Sequence, residues 1–90
     1  MGEERHHVAL RRRSFGLLAA AAPALTRAHA FEIEAAVDAG DFRDALDRLV
    51  SCLGEAGAPV GHRTLAMIDV LADALGLTES IAGGRARLSR

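Results

Sequence analysis

The residue types that usually carry catalysis occur in this chain, but their spacing forms no catalytic motif. None of the histidines stands in an H-E-x-x-H or Cys–His ligand spacing. The serines and threonines lie in no G-x-S-x-G nucleophile motif. The glycines of the central loop lack the preceding strand and the lysine that a phosphate-binding loop requires. We therefore expect no enzyme activity, no catalytic or metal-binding residue and no cofactor.

Two smaller features have a chemical and a structural interpretation each. His6-His7 is a weak metal-binding pattern, although an exposed, disordered pair is the more usual outcome. Cys52 has no neighbouring histidine in the sequence and lies at the edge of an apolar stripe, where a buried and inert thiol is expected. A single cysteine excludes an internal disulfide and fits a reducing compartment, so we expect a cytoplasmic protein.

Acidic side chains are the remaining candidates for a site, because they are concentrated in the middle of a chain whose net charge is only −1. Every basic residue is an arginine, and most arginines lie in the first third or the tail. An acidic surface would attract a basic partner and speed its capture. The alternative is that these acids only keep an alanine-rich protein soluble. The predicted partner-binding residues are Asp38, Asp41, Asp44, Asp47, Asp69 and Asp73.

The central helix that positions these acids is predicted over Asp41–Leu53. Helical spacing places Asp44 and Asp47 on the outward face, and six apolar residues form one stripe on the other. Asp41 is a candidate N-cap, and Gly40 can adopt the left-handed conformation that ends the preceding helix. The stripe consists of Phe42, Ala45, Leu46, Leu49, Val50 and Leu53.

The rest of the chain also favours helix, since it is rich in Ala and Leu and contains no Trp or Tyr. Further helices are predicted at 8–22, 24–39 and 61–75, with Val8, Phe15, Leu18 and Ala22 on the buried face of the first. The predicted fold is all-α, a compact bundle of about four short helices joined by tight turns. Residues 8–82 form a single domain, residues 1–7 are disordered, and residues 83–90 are a loose tail.

The N-terminal segment also has the order of a secretion signal. Arg12-Arg13-Ser14-Phe15 is followed by a mildly apolar stretch and then by Ala28-His29-Ala30, which suggests twin-arginine export with cleavage after Ala30. Gly16-Leu17 replaces the usual Leu-Lys, and Pro23 interrupts the stretch. The alternative is an alanine-rich first helix with basic residues on its solvent face. No apolar run reaches the length of about 20 residues that spans a membrane.

The stretch Phe31–Leu49 resembles the MafI family of immunity proteins. That family has a helix ending in Asp/Asn-x-Gly-Glu, an aromatic residue, then Ala-Leu-Glu and a spaced Leu. Asp38-Ala39-Gly40-Asp41, Phe42 and Ala45-Leu46-Asp47 stand at those positions here, with Asp in place of Glu at 41 and 47. Ala58-Pro59-Val60 resembles the family's Pro-Ile turn, and the Leu-Gly-Leu at 75–77 matches its last helix end. The similarity covers 31–78 well and the N-terminal helix loosely.

The resemblance implies a small helical protein that binds and neutralises the toxic C-terminal domain of a cognate polymorphic toxin, without catalysis. Many such toxins are nucleases, whose basic active sites an acidic surface would complement. Two other functions remain open: a helical-repeat scaffold module, because tetratricopeptide hairpins share A-x-x-x-G-D-F-x-x-A-L, and a small exported protein. Nucleic-acid binding is not expected, since a recognition helix needs exposed basic or amide residues where the predicted third and fourth helices present acids.

Overall fold

Five α-helices follow one another along the chain in this computed structural model, which describes residues 2–89, with side chains described for residues 5–89. They are α1 (Gly2–Ala21), α2 (Arg27–Asp38), α3 (Phe42–Ala56), α4 (His62–Leu75) and α5 (Thr78–Leu88), with a short 3-10 turn at Ala22–Ala24. No strand occurs between residues 2 and 89. The prediction of an all-α bundle is confirmed, with five helices in place of about four.

The third helix, α3, is the one against which all the others pack. It contacts α1, α2, α4 and α5, and its whole predicted stripe is buried. Leu46 and Leu49 each retain only 1% of their exposure. The buried side chains of the five helices form one continuous hydrophobic core. The helical period of the stripe therefore predicted the centre of the fold correctly.

The joint between α2 and α3 is the helix end and helix start that the sequence predicts. Gly40 has a φ of 78°, in the left-handed region that a side chain would disfavour. The Asp41 N–H donates back to the Ala36 carbonyl at 2.9 Å, which closes the end of α2. The Asp41 carboxylate then accepts from the Asp44 N–H at 3.2 Å and caps α3. The two helices are thus joined by a tight, hydrogen-bonded turn.

The N-terminal helix differs from its prediction in both length and orientation. α1 begins at Gly2, which corrects the disordered segment predicted at 1–7, of which Met1 lies outside the described residues. The His7 ring packs on Phe42 with 5.1 Å between ring centres, so this turn of α1 has a tertiary contact. Val8 is 53% exposed, and the buried residues are Leu10, Ser14, Leu17, Leu18 and Ala21. The predicted burial of Val8 and Ala22 is therefore wrong, because the true stripe includes a serine.

Two other helix boundaries move by a turn or less. α2 begins at Arg27 and not at Ala24, because the Thr26 hydroxyl accepts from the His29 N–H at 3.1 Å and caps the helix there. α3 continues through Gly54 to Ala56 and ends where Gly57 adopts a left-handed φ of 64°. A single glycine lowers helix stability by only about 1 kcal/mol, which does not interrupt a helix whose inner face is packed.

The C-terminal segment predicted as a loose tail at 83–90 is instead helical up to Leu88, where it forms the second half of α5. Ser89 is the C-cap of that helix, and Arg90 lies outside the described residues. Ile81 and Leu88, seven residues apart on one face, are buried in the core. Gly84 lets α5 approach α3 closely, since a Cβ placed there would lie 2.8 Å from Cγ1 of Val50. The prediction of a loose tail was wrong because Gly83 and Gly84 disfavour helix locally, and the local sequence does not reveal the packing on α3.

The close approach of α5 to α3 predicts opposite effects for two neighbouring glycines. Gly84→Ala should destabilise the protein by about 1–3 kcal/mol, because its Cβ must displace Val50. Gly83→Ala is the matched control: beyond its own stretch of helix, no described atom lies within 4 Å of the added Cβ, so better helix propensity should stabilise by about 0.5–1 kcal/mol. Urea unfolding measures both changes. Equal effects at the two positions would contradict the packing of α5 on α3.

A second prediction concerns Ser14, which is 4% exposed and whose Oγ has no hydrogen-bond partner among the described atoms. It faces a void of only about 10 Å³ lined by Leu17, Ile33 and other apolar residues. Ser14→Ala should therefore stabilise by about 1–2 kcal/mol, since an unsatisfied buried hydroxyl is removed. Exposed Ser51 in α3 gives the control, because Ser51→Ala changes helix propensity alone. Thermal unfolding that ranks Ser14→Ala below Ser51→Ala would contradict this explanation.

Candidate functional site

The six aspartates predicted to bind a partner do not have equivalent surroundings. Asp38, at the end of α2, accepts a 2.9 Å hydrogen bond from Nη2 of Arg11 on α1. Asp41 is the N-cap of α3, so its carboxylate is occupied by the Asp44 N–H. These two residues therefore have local structural roles at the ends of helices, in addition to any contact with a partner.

Asp44 belongs to a small ionic network on the exposed side of α2 and α3. Nε of Arg48 donates to Asp44 at 2.7 Å, and its Nη1 lies 3.5 Å from Glu32 on α2. The hydrogen bond to Asp44 and the charge of Asp44 raise the pKa of Arg48. Because all three side chains are largely exposed, the network adds little to stability. It does reduce the negative charge that this surface presents.

Asp69 accepts two hydrogen bonds from one basic side chain. Nε and Nη2 of Arg85 donate to its two carboxylate oxygens at 2.8 and 3.0 Å, which links α4 to α5. This bidentate bond raises the pKa of Arg85, whose side chain is only 26% exposed. Asp69 therefore helps to hold the C-terminal helix, and its removal would disturb more than a binding surface.

Asp47 and Asp73 are the two predicted residues that remain available. Both are exposed, and neither forms an ion pair with any side chain of residues 5–89. Asp47 lies on the outer face of α3, one residue before Arg48 and opposite the buried stripe. The predicted acidic surface is thus partly neutralised, and Asp47 is its clearest free carboxylate.

Two features of the surface were not predicted from the sequence. The first is the pairing of arginines with the predicted acids, for which the i, i+4 spacing of Asp44 and Arg48 was the available signal. The second is a depression of about 380 Å³ between α1 and α4, bordered by Arg12, Arg13 and Arg63. Its residues lie on two helices that are distant in the sequence, so no local pattern could have indicated it.

The groups that could do chemistry have surroundings that favour inertness. Burial raises the pKa of the half-buried Cys52 thiol, and the charges of Glu55 and Glu32 raise it further. A thiol with a raised pKa has less of the nucleophilic thiolate at neutral pH. Within the described part of the chain, no three His, Cys, Asp or Glu side chains gather to hold a metal ion. No helix formed by those residues combines the length and apolar character needed to cross a membrane.

Comparison with known proteins gives no match to a family model, to a curated protein or to a solved structure.

The environment of Cys52 predicts slow and pH-dependent alkylation. Its reaction with iodoacetamide should have a midpoint at higher pH in the folded protein than in the urea-unfolded chain, because burial disfavours the thiolate. Glu55→Gln should lower the folded midpoint by removing one nearby negative charge, whereas Glu79→Gln, a distant control on α5, should leave it unchanged. Mass spectrometry over a pH series measures the rates. Identical midpoints in the folded and unfolded states would contradict this environment.

Proposed function

We propose that this chain is a protein-binding module that acts as an immunity protein, neutralising the toxic C-terminal domain of a cognate toxin without catalysis. The resemblance of residues 31–78 to the MafI family supports this role. Within that segment, Gly40, Asp41 and Phe42 form the α2–α3 joint and its buried edge. The family pattern therefore coincides with the part of the fold that orients α3.

The observation that carries the proposed binding mode is the position of Asp47. The apolar face of α3 is buried in the core, and this packing holds the opposite face rigidly in place. Asp47 is exposed on that outer face, and its carboxylate has no basic partner among the side chains of residues 5–89. A carboxylate presented on a rigid helix can meet a basic surface on a partner with little loss of conformational entropy. Charge would then set the association rate.

The proposed toxin partner is a nuclease or another protein with a basic active site. Its cationic residues would approach the outer face of α3, and exposed Asp73 on α4 would extend the acidic surface. A few apolar contacts would set the lifetime of the complex, as they do in other protein interfaces. The proposed role needs no reaction chemistry, which agrees with the raised pKa of the Cys52 thiol.

In the proposed role, α1 is part of the folded domain and the protein acts in the cytoplasm. Leu10, Leu17, Leu18 and Ala21 of α1 lie in the core. Cleavage after Ala30 would remove all four, together with the half-buried Phe15, and would expose the apolar residues against which they pack. The contribution of α1 to the core supports the interpretation of Arg12-Arg13-Ser14-Phe15 as helix.

A rescue assay tests the proposed role directly. The C-terminal domain of the polypeptide encoded by the neighbouring gene is expressed in a host cell with and without the full chain, and surviving cells are counted. Survival together with co-purification of the two proteins is the expected result. Toxicity that persists while this chain is expressed and folded would contradict the immunity role. A chain carrying Leu46→Asp, which disrupts the core, is the negative control for rescue.

The role of Asp47 in association is a separate prediction. Asp47→Asn should slow association with the toxin domain by about twofold to tenfold and flatten its dependence on salt, because one steering charge is lost. Glu79→Gln is the matched control, since it removes one exposed charge from α5. Stopped-flow mixing over a series of salt concentrations measures both rates. If the association rate of Asp47→Asn equals that of the control at low salt, the outer face of α3 is not the binding surface.

A further inference from the structure

A groove with an apolar floor runs between α1 and α4 on the outside of the molecule. Gly16 on α1 and Ala66, Met67 and Val70 on α4 form its floor, and its volume is about 380 Å³. Val70 is 51% exposed, which is unusual for a large apolar side chain in this chain. The groove is of the size that small apolar anchors fill in protein and ligand complexes.

The groove arises from a second apolar face on α4. Ala66, Met67 and Val70 are spaced 1 and 3 apart, which places them on one side of α4, and Arg63 lies one turn before Met67 on the same side. Gly16 keeps the space above them open, because it has no side chain; a Cβ there would lie 3.6 Å from Cε of Met67. The first atom of a side chain at position 16 therefore fits without moving the helix backbone.

A second depression lies along α1, toward the N-terminus from the groove. This depression of about 360 Å³ is lined by Arg5, Val8, Ala9 and Arg12, and shares Arg12 with the first. Val8 is 53% exposed. From Arg5 to Gly16 the rise along α1 is about 16 Å, or three helical turns. The two depressions together match the length of a short amphipathic helix.

The border of the groove carries positive charge that no ion pair with a described carboxylate neutralises. Arg12, Arg13 and Arg63 form no ion pair with the carboxylates of residues 5–89, whereas the arginines at 11, 48 and 85 do. Among residues 5–89, no acidic residue lines either depression. An apolar floor between guanidinium groups is complementary to an apolar ridge flanked by carboxylates.

We infer that this groove binds an acidic amphipathic helix of a partner protein. Apolar side chains at i, i+3 or i+4 and i+7 of that helix would enter the groove, and its Asp and Glu side chains would bind Arg12, Arg13 and Arg63. A flat bilayer would contact the exposed Val8 and Val70 but leave the concave floor at Gly16 uncovered. The inferred site is distinct from the outer face of α3 and has the opposite charge, so it does not rest on the proposed function.

The test uses the full chain and a fluorescein-labelled peptide of about 14 residues, with Leu at helical spacing and Glu on both flanks. One control peptide has the same composition in scrambled order, and another has Lys in place of Glu. Fluorescence anisotropy should show binding of the acidic amphipathic peptide that weakens with salt and exceeds binding of either control by about tenfold or more. Equal binding of the three peptides, or no binding of any, would overturn the inference.

Variants of the chain locate the binding on the groove. Arg63→Glu should weaken peptide binding by about tenfold, and Gly16→Leu should weaken it by filling the floor while raising helix propensity. Arg27→Glu, an exposed arginine on α2, is the matched charge control and should leave binding unchanged. Circular dichroism confirms that each variant is folded. Peptide binding that survives both groove substitutions would overturn the inference.

Two alternative occupants are tested with the same variants. The first is an anionic membrane, probed with phosphatidylglycerol vesicles by co-sedimentation. The second is another copy of this chain, probed by sedimentation equilibrium. Vesicle binding or dimerisation that Arg63→Glu abolishes, in the absence of specific peptide binding, would assign the groove to that occupant and overturn the inference of a partner helix.

Discussion

Burial of the apolar face of α3 is the interaction on which the rest of this structure depends. Six of its side chains lie in the core, and each of the other four helices packs against it. A buried side chain of the size of Leu or Phe contributes about 1.5–3 kcal/mol, and a chain of this length has few of them. Gly40, just after α2, and Gly57, just after α3, adopt left-handed conformations that end these helices. The start and the end of α3 are therefore well defined.

Charge is arranged around this core so that acids and arginines pair across helix boundaries. Arg11 links α1 to α2, Arg48 links α3 to α2, and Arg85 links α5 to α4. The exposed pairs of Arg11 and Arg48 add little free energy of folding, whereas the bidentate pair of Arg85 helps to hold α5 on α4. All three pairs decide which charges remain available to a partner. Asp47 remains on the outer face of α3, and Arg12 and Arg63 remain beside the α1–α4 groove. Both surfaces are therefore products of tertiary packing as much as of composition.

The difference between local signals and contacts of distant segments explains what the sequence could and could not predict. The α3 stripe and the α2–α3 turn were predicted residue by residue, because their signals are local. The apolar residues of α3 have a clear helical period, and capping residues mark the turn. The buried face of α1 was not predicted. Its alanines do not distinguish a buried side of the helix from an exposed one, and Ser14 interrupts the apolar pattern. α5 depends on the approach of Gly84 to Val50, a contact between distant segments. The pairing of Asp69 with Arg85 and the groove between α1 and α4 were not predicted for the same reason, because each joins segments that are distant in the sequence.

A net charge of −1 does not exclude recognition by charge in a molecule of this shape. The longest dimension is 40 Å, whereas charges in physiological salt are screened beyond about 8 Å. A partner therefore responds to the few charges near its point of contact and not to the sum over the chain. Asp47, Arg12 and Arg63 form no ion pair with the side chains of residues 5–89, so each presents a local field of definite sign. Near-neutral composition thus permits an acidic and a basic binding surface on one small helical domain.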